Sequence, residues 1–290
     1  LALAELANVA YAYPPLAPGL PSPVVLRDVS LRVEAGEFVA LMGRTGAGKS
    51  TLCMCLNGVV PQSTGGRLTG AISVLGHDPR QVPTARLARE VALVYQDAEC
   101  QLIMPTVEEE VAFGPGNLGI DRAEIAERVA WALRLVGIEE LCHRPPSQLS
   151  GGQMQRVAIA ANLAMLPRLL ILDEPFAGLD PAGRRQVANA ICRLRAEREI
   201  AVLLATTNAE IAAETADRIA ILDDGCIALD SPPADAFAHT EIIAKTGVGR
   251  PSVTELAAAL NRELGTAYAW TTLPQARDDL ERLLLPGRPA

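Results

Sequence analysis

Residues 43–51, Gly-Arg-Thr-Gly-Ala-Gly-Lys-Ser-Thr, have the types and spacing that bind phosphate. Gly43, Gly48, Lys49 and Ser50 fit the pattern G-x-x-x-x-G-K-[ST], with Arg44, Thr45, Gly46 and Ala47 inside the loop and Thr51 just after it. Glycines let the backbone wrap an anion and aim its N–H groups inward. Lys49 would reach the β- and γ-phosphates of a nucleotide, and Ser50 would ligate Mg²⁺. A second set is Leu169-Leu-Ile-Leu-Asp173-Glu174-Pro175. Its four apolar residues predict a buried strand with two carboxylates at the C-terminal end, where open α/β sheets bind ligands. Asp173 suits a Mg²⁺ contact. Glu174 suits a general base or a positioner of attacking water. The third set is Leu149-Ser-Gly-Gly-Gln153, leading into Met-Gln-Arg-Val-Ala-Ile-Ala160. Ser150, Gly151, Gly152 and Gln153 make a second anion-binding helix N-terminus. One domain has no need of two γ-phosphate cradles, so this loop reads as serving a nucleotide bound to a partner domain. A chance glycine turn and a pair of solvated acids are the plain alternatives, and three sets in one chain argue against both.

The surrounding pattern supplies the elements that must hold these groups. The apolar run Phe38–Met42 precedes the glycine loop and a helix-like segment, Ser50–Leu56, follows it, giving the strand, loop and helix N-terminus that a phosphate cradle requires. Strands are predicted at Phe38–Met42, Ala71–Leu75, Val91–Tyr95, Leu169–Leu172, Ala201–Thr206 and Arg218–Leu222. Several are apolar on both faces, which suits a covered, mostly parallel sheet. Asp121–Val136 reads as a helix capped by Asp121 with Glu124 three residues on. Its apolar face is Ile125, Val129, Leu133 and Val136, and Gly137 ends it. With a helix at Gln153–Ala164 it forms a helical block inserted between two strands, about residues 97–165. Tyr13–Pro23 has five prolines and reads as a loop or extended arm. Ser231-Pro-Pro233 closes the core, giving a main domain over 1–233 and a mixed, helical extension over 234–290 that ends in a Pro/Gly-rich tail, Pro286–Pro289.

The hydrophobic fraction of 49% is enough for a sizeable core. A net charge of −8 argues against a non-specific nucleic-acid binder, which usually shows a basic patch. No apolar run approaches the ~18–20 residues of a membrane-spanning helix, and no signal-peptide pattern opens the chain. The first residue is Leu rather than Met, which leaves open a trimmed or longer polypeptide. The six cysteines show no zinc-type CxxC spacing and read as plain buried or partly buried thiols in a reducing compartment.

Taken in order, these motifs over about residues 3–230 resemble those of ATP-binding-cassette (ABC) ATPases. The resemblance implies an α/β fold: a P-loop NTPase (RecA-like) core with an antiparallel β subdomain, an inserted α-helical signature subdomain and a small C-terminal helical extension. It implies ATP and Mg²⁺ as the bound species. Leu149–Gln153 would be the signature loop, Ala177-Gly178-Leu179-Asp180 the loop that crosses a dimer interface, and Gln96 the glutamine that senses Mg²⁺ and the transporter contact. Tyr13 is the candidate for stacking on adenine, with Tyr11 as the alternative. A narrower resemblance lies in Val94-Tyr-Gln-Asp-Ala-Glu-Cys-Gln101 and Thr106-Val-Glu-Glu-Glu-Val-Ala-Phe-Gly114, with a later one in Pro251–Leu260. These resemble the ATPase subunits of energy-coupling factor (ECF) transporters, importers of vitamins and metal ions. By that resemblance the partners are a second ABC ATPase domain and an ECF-type transmembrane subunit reached through the Gln96–Glu99 region. Glu99, with Asp97, would receive arginines of the membrane subunit. The chain would sit on the cytoplasmic face of the membrane as a peripheral subunit, with no nucleic-acid partner.

One departure stands out. ABC ATPases usually carry a histidine where this chain has Thr207, in Leu203-Leu-Ala-Thr-Thr207-Asn-Ala-Glu210. A threonine can donate one hydrogen bond to a phosphate oxygen but lacks an imidazole's reach, charge and proton handling. Either this chain's own site is slow and a non-identical, possibly fused partner provides the faster one, or Glu174 and Gln96 suffice. A weakly hydrolysing regulatory subunit, or the ATPase of another ABC importer, are the rival functions. Phe176 stands where many relatives have Thr, with no evident consequence.

Overall fold

A computed structural model describes residues 2–197 and 200–284. Among the described residues nine strands form one sheet: β1 (Ala2–Ala12), β2 (Val24–Glu34), β3 (Phe38–Met42), β4 (Arg67–Val74), β5 (Val91–Val94), β6 (Leu169–Asp173), β7 (Ala201–Thr206), β8 (Arg218–Asp223) and β9 (Cys226–Ser231). Their order is β4-β1-β2-β9-β8-β3-β7-β6-β5. The helices are α1 (Lys49–Leu56), α2 (Val59–Gln62), α3 (Thr84–Leu87), α4 (Val107–Asn117), α5 (Arg122–Val136), α6 (Gly151–Leu163), α7 (Pro181–Glu197), α8 (Ala209–Thr215), α9 (Pro233–Ala238), α10 (Thr240–Thr246), α11 (Ser252–Leu264) and α12 (Leu273–Leu284). The tail Pro286–Pro289 lies outside the described residues. Among the described residues no helix is long and apolar enough to cross a membrane.

The two-sided apolar strands behave as their pattern dictates. β8, β3, β7, β6 and β5 run parallel to one another, and every residue of β3, β5, β6 and β7 is buried. Period-2 alternation sends successive side chains to opposite faces. Leu170 and Leu172 of β6 pack with α5, α6 and α7, whereas Leu169 and Ile171 pack with α1 and the antiparallel strands. Helices α4, α5 and α6 lie between β5 and β6 in the chain and pack on one another.

The strand expected at Ala71–Leu75 forms, ending one residue earlier. It is part of β4, which begins at Arg67, ends at Val74 and pairs antiparallel with β1 at the edge of the sheet. β1 pairs antiparallel with β2 in turn. Strands β1, β2 and β9 carry no long apolar run, so a reading based on such runs passes over them. In β2 the buried residues are Leu26, Val29, Leu31 and Val33, and the three-residue step from Leu26 to Val29 breaks the alternation. In β1 a register shift near Asn8, which sits at φ 51°, does the same. Asp121 caps α5 as expected, accepting from Ala123 N at 3.0 Å, but Glu124 pairs with Arg128 one turn on instead of closing a capping box.

Candidate functional site

Strand β3 delivers the glycine loop to the C-terminal edge of the parallel strands, and α1 leaves from it. Gly43 is forced by space, since a Cβ there would lie 2.4 Å from the Leu222 carbonyl oxygen. Gly48 sits at φ 107°, a left-handed conformation that favours glycine, and α1 starts directly after it. Arg44 and Ala47 close the turn through an Ala47 N–H bond to the Arg44 carbonyl at 3.1 Å. The Lys49 ammonium is buried at the loop's mouth. It donates to the Gly43 carbonyl at 2.8 Å and the Arg44 carbonyl at 3.3 Å, and lies 3.1 Å from Glu174 Oε1.

Asp173 and Glu174 leave the end of β6 toward this loop. Asp173 is buried, its Oδ1 has no hydrogen-bond partner, and the Ser50 hydroxyl bonds its carboxylate. Burial pushes the Asp173 carboxyl above the ordinary aspartate range, while Ser50 and Lys49 oppose that rise. Glu174 is held at φ 47°, a left-handed conformation that costs a residue with a Cβ about 1–3 kcal/mol. Its backbone N–H donates to the Ala205 carbonyl at 2.8 Å, and its Oε2 accepts from the Thr207 backbone N–H at 3.2 Å. The loop, Glu174, Gln96 and Thr207 line one cleft of about 390 Å³. The unpartnered oxygen of buried Asp173 beside the Ser50 hydroxyl, with Ser50 and Gln96 on the cleft, is a donor set suited to a hard, oxygen-seeking cation such as Mg²⁺.

Other residues singled out from the sequence lie elsewhere. Tyr11 is buried and its hydroxyl is committed to Thr64 and the Gly65 carbonyl, so its ring has no free face to offer. Tyr13 is partly exposed, with its hydroxyl 3.1 Å from Thr51 Oγ1. Ser150 is exposed and caps α6 in a reciprocal pair with Gln153: Ser150 Oγ accepts from Gln153 N, and Gln153 Oε1 accepts from Ser150 N at 2.9 Å. Gly151 and Gly152 open that helix, and a Cβ on Gly152 would lie 3.4 Å from the Gly183 Cα. Asp180 caps α7, accepting from Gly183 N at 2.6 Å. Neither Ser150–Gln153 nor Asp180 lines the phosphate cleft.

The sequence reading passed over several contributors. Arg184 and Asn208 line the cleft. Arg184 donates to the Leu179 carbonyl at 2.9 Å, and Asn208 caps α8. Glu110, read only as part of a pattern, is buried. Its Oε2 accepts from the Ile103 and Met104 backbone N–H groups, both at 2.7 Å. Gln101 ties the segment after β5 down, accepting from Tyr95 N and donating to the Leu93 carbonyl. Between these anchors Asp97 accepts from Glu99 N, and Glu99 is exposed. An acid three residues into a helix, facing back over the chain that enters it, is a signal that could have exposed the role of Glu110.

The family model described as ABC transporter matches residues 26–177. A putative ABC transporter ATP-binding protein of Methanosarcina mazei is 41% identical over 89% of this chain, which spans 43% of that protein's length. The energy-coupling factor transporter ATP-binding protein EcfA1 of Caldanaerobacter subterraneus is 43% identical over 83% of this chain and 86% of its own length. The solved structure of cbiO1 from Clostridium perfringens, described as part of the ABC transporter complex cbiONQ, superposes with a TM-score of 0.73. It is 29% identical and covers 97% of this chain and 99% of its own. With a family match over more than half its residues and a relative this similar over most of both sequences, the chain belongs to the ABC transporter ATP-binding family.

Proposed function

We propose that this chain is the ATP-binding and hydrolysing subunit that powers an ECF-type importer of vitamins or metal ions. It closes head-to-tail with a second ABC ATPase domain on two ATP. The observation that carries this reading is the meeting of Lys49, Ser50, Glu174 and Gln96 around one cleft, with Asp173 buried behind it and bonded to Ser50, while the Ser150–Gln153 loop stays outside it. On this reading the loop N–H groups and Lys49 hold the phosphates, and Tyr13 stacks on adenine. Glu174, oriented by the Thr207 amide, positions the attacking water and takes its proton. Mg²⁺ held by Ser50 and Asp173 with Gln96 would neutralise charge on the phosphates. Ser150–Gln153 and Asp180 complete the partner's site. Likeness to EcfA1 and to cbiO1 supports the ECF assignment, with Glu99 and Asp97 meeting a transmembrane subunit at the cytoplasmic face of the membrane. The greater length of the Methanosarcina relative supports a tandem or non-identical partner.

The test is ATP hydrolysis by the purified chain across protein concentration, with Lys49→Ala as control. Turnover that rises more than linearly and vanishes in the variant supports a working homodimer. ATP binding without turnover supports the second reading, a weakly hydrolysing regulatory subunit, which Thr207 favours because its side chain lacks an imidazole's reach and proton handling. Under that reading, Glu174→Gln in the heteromer leaves turnover unchanged. Failure of either nucleotide binding or co-assembly with an ECF-type membrane subunit counts against the proposal as a whole.

A further inference from the structure

The C-terminal extension holds a cavity that the nucleotide cleft does not use. It measures about 160 Å³ and lies between α9, α11 and the segment 268–271. Its walls are small and flat: Ala238, Ala257 and Ala258, with Tyr268 stacked on Trp270 at a centroid distance of 4.2 Å and an interplanar angle of 25°. Most polar groups on the wall are already engaged. Thr254 Oγ1 donates to the Trp270 carbonyl at 2.7 Å. Asn261 donates to the Tyr268 carbonyl at 2.8 Å and accepts from Tyr268 N at 2.7 Å. Arg250 differs, because its Nε is buried and has no hydrogen-bond partner. A buried donor left unpaired is costly, and a guanidinium more so than an amide. No Asp or Glu lines the cavity among the described residues.

We infer that this cavity binds a small monocarboxylate with a flat apolar body. The carboxylate sits on Arg250, and the body lies against the alanines and the Tyr268–Trp270 stack. Arg250 lines the cavity, and a planar guanidinium matches a carboxylate with two parallel hydrogen bonds. A cavity of roughly 150 Å³ takes up benzene, so one ring with a carboxylate at the mouth is the right scale. The site is also placed to affect the nucleotide cleft. Two residues after Arg250, Ser252 donates through N and Oγ to Glu210 Oε1, at 3.3 and 2.9 Å, on the helix that follows Thr207. Three residues before it, Gly247 packs on the Arg44 stem in the phosphate loop, where a Cβ would lie 3.2 Å from Arg44 Cδ.

Benzoate titrated into the full chain by calorimetry and ligand-observed NMR tests this, with benzamide as the neutral isostere. The expected result is saturable one-site binding of benzoate, at least tenfold tighter than benzamide. Arg250→Gln weakens it at least tenfold, and Ala258→Leu, which fills the cavity, abolishes it. The idea fails if the wild-type chain shows no saturable benzoate binding, if benzamide binds as well, or if both folded variants bind within twofold of wild type. The benzoate–benzamide comparison uses the unaltered chain, so it decides the matter even where a variant misfolds.

Discussion

Replacing Glu110 with alanine should loosen the segment that follows the Gln96–Glu99 region while leaving the phosphate cleft intact. The carboxylate is buried and a single oxygen accepts two backbone N–H groups, from Ile103 and Met104, both at 2.7 Å. A hydrogen bond to a charged group contributes about 1.5–3 kcal/mol, so two independent bonds would amount to about 3–6 kcal/mol. Two reductions apply. The bonds share one oxygen, and Ile103 is 66% exposed, so water can reach its freed N–H. The expected loss for Glu110→Ala is therefore about 2–4 kcal/mol, and about 1–2 kcal/mol for Glu110→Gln, which keeps a neutral acceptor. Urea unfolding measures the loss. Hydrogen exchange should show the 103 and 104 amides losing protection in the order wild type, glutamine, alanine. An alanine variant within ~0.5 kcal/mol of wild type, the usual scatter for surface changes, with both amides still protected, would refute the assignment.

Asp173 has a folded-state pKa raised by burial, so between its unfolded and folded values the folded chain binds more protons than the unfolded chain. That contribution to stability is complete below the ordinary aspartate pKa and is lost as pH rises through the raised value. At pH 8 Asp173→Asn should therefore raise the Tm of the metal-free chain while removing Mg²⁺-dependent stabilisation, and a lowered Tm counts against it. Burial pushes the Cys55 thiol up to about 12 and holds Cys53 well above its usual value. A thiol reagent at pH 8 should label exposed Cys100 and Cys192 but reach Cys53 and Cys55 only on unfolding, as peptide mapping will show. The Asp97 carboxylate raises the Cys100 thiol pKa, so Asp97→Asn should speed labelling there. Thr207→His should leave steady-state ATP turnover within about twofold, because the contact to Glu174 runs from the backbone amide, and a tenfold rise counts against that.

What was legible in the sequence was whatever local pattern enforces. Phe38–Met42, Leu169–Asp173 and Ala201–Thr206 are apolar on both faces because both faces are covered, and such runs announce themselves. The loop at 43–50 is equally plain, since a close approach to Leu222 leaves no room for a Cβ at Gly43. The antiparallel flank was less so. β1 and β2 alternate imperfectly, and their pairing depends on partners 12 to 70 residues away, most of them outside any local window. The same holds for Glu110, whose meaning is set by the chain folding back over it, and for Arg250, which becomes unusual only when α9, α11 and Trp270 close around it.

The replacement at Thr207 looks severe in sequence and milder in the structure. The contact this position makes to Glu174 runs from its backbone N–H, which every residue but proline supplies. Glu174 is further fixed by its N–H bond to Ala205, by the Ala177 N–H bond to its carbonyl, and by the Lys49 ion pair. A strained φ of 47° supported from four directions is a conformation the fold maintains, and such strain gathers where geometry matters for chemistry. The orientation of the carboxylate is thus independent of the side chain at 207. The cleft retains two cations on its lining, Lys49 and Arg184, so the charge needed to hold a polyphosphate does not depend on a histidine.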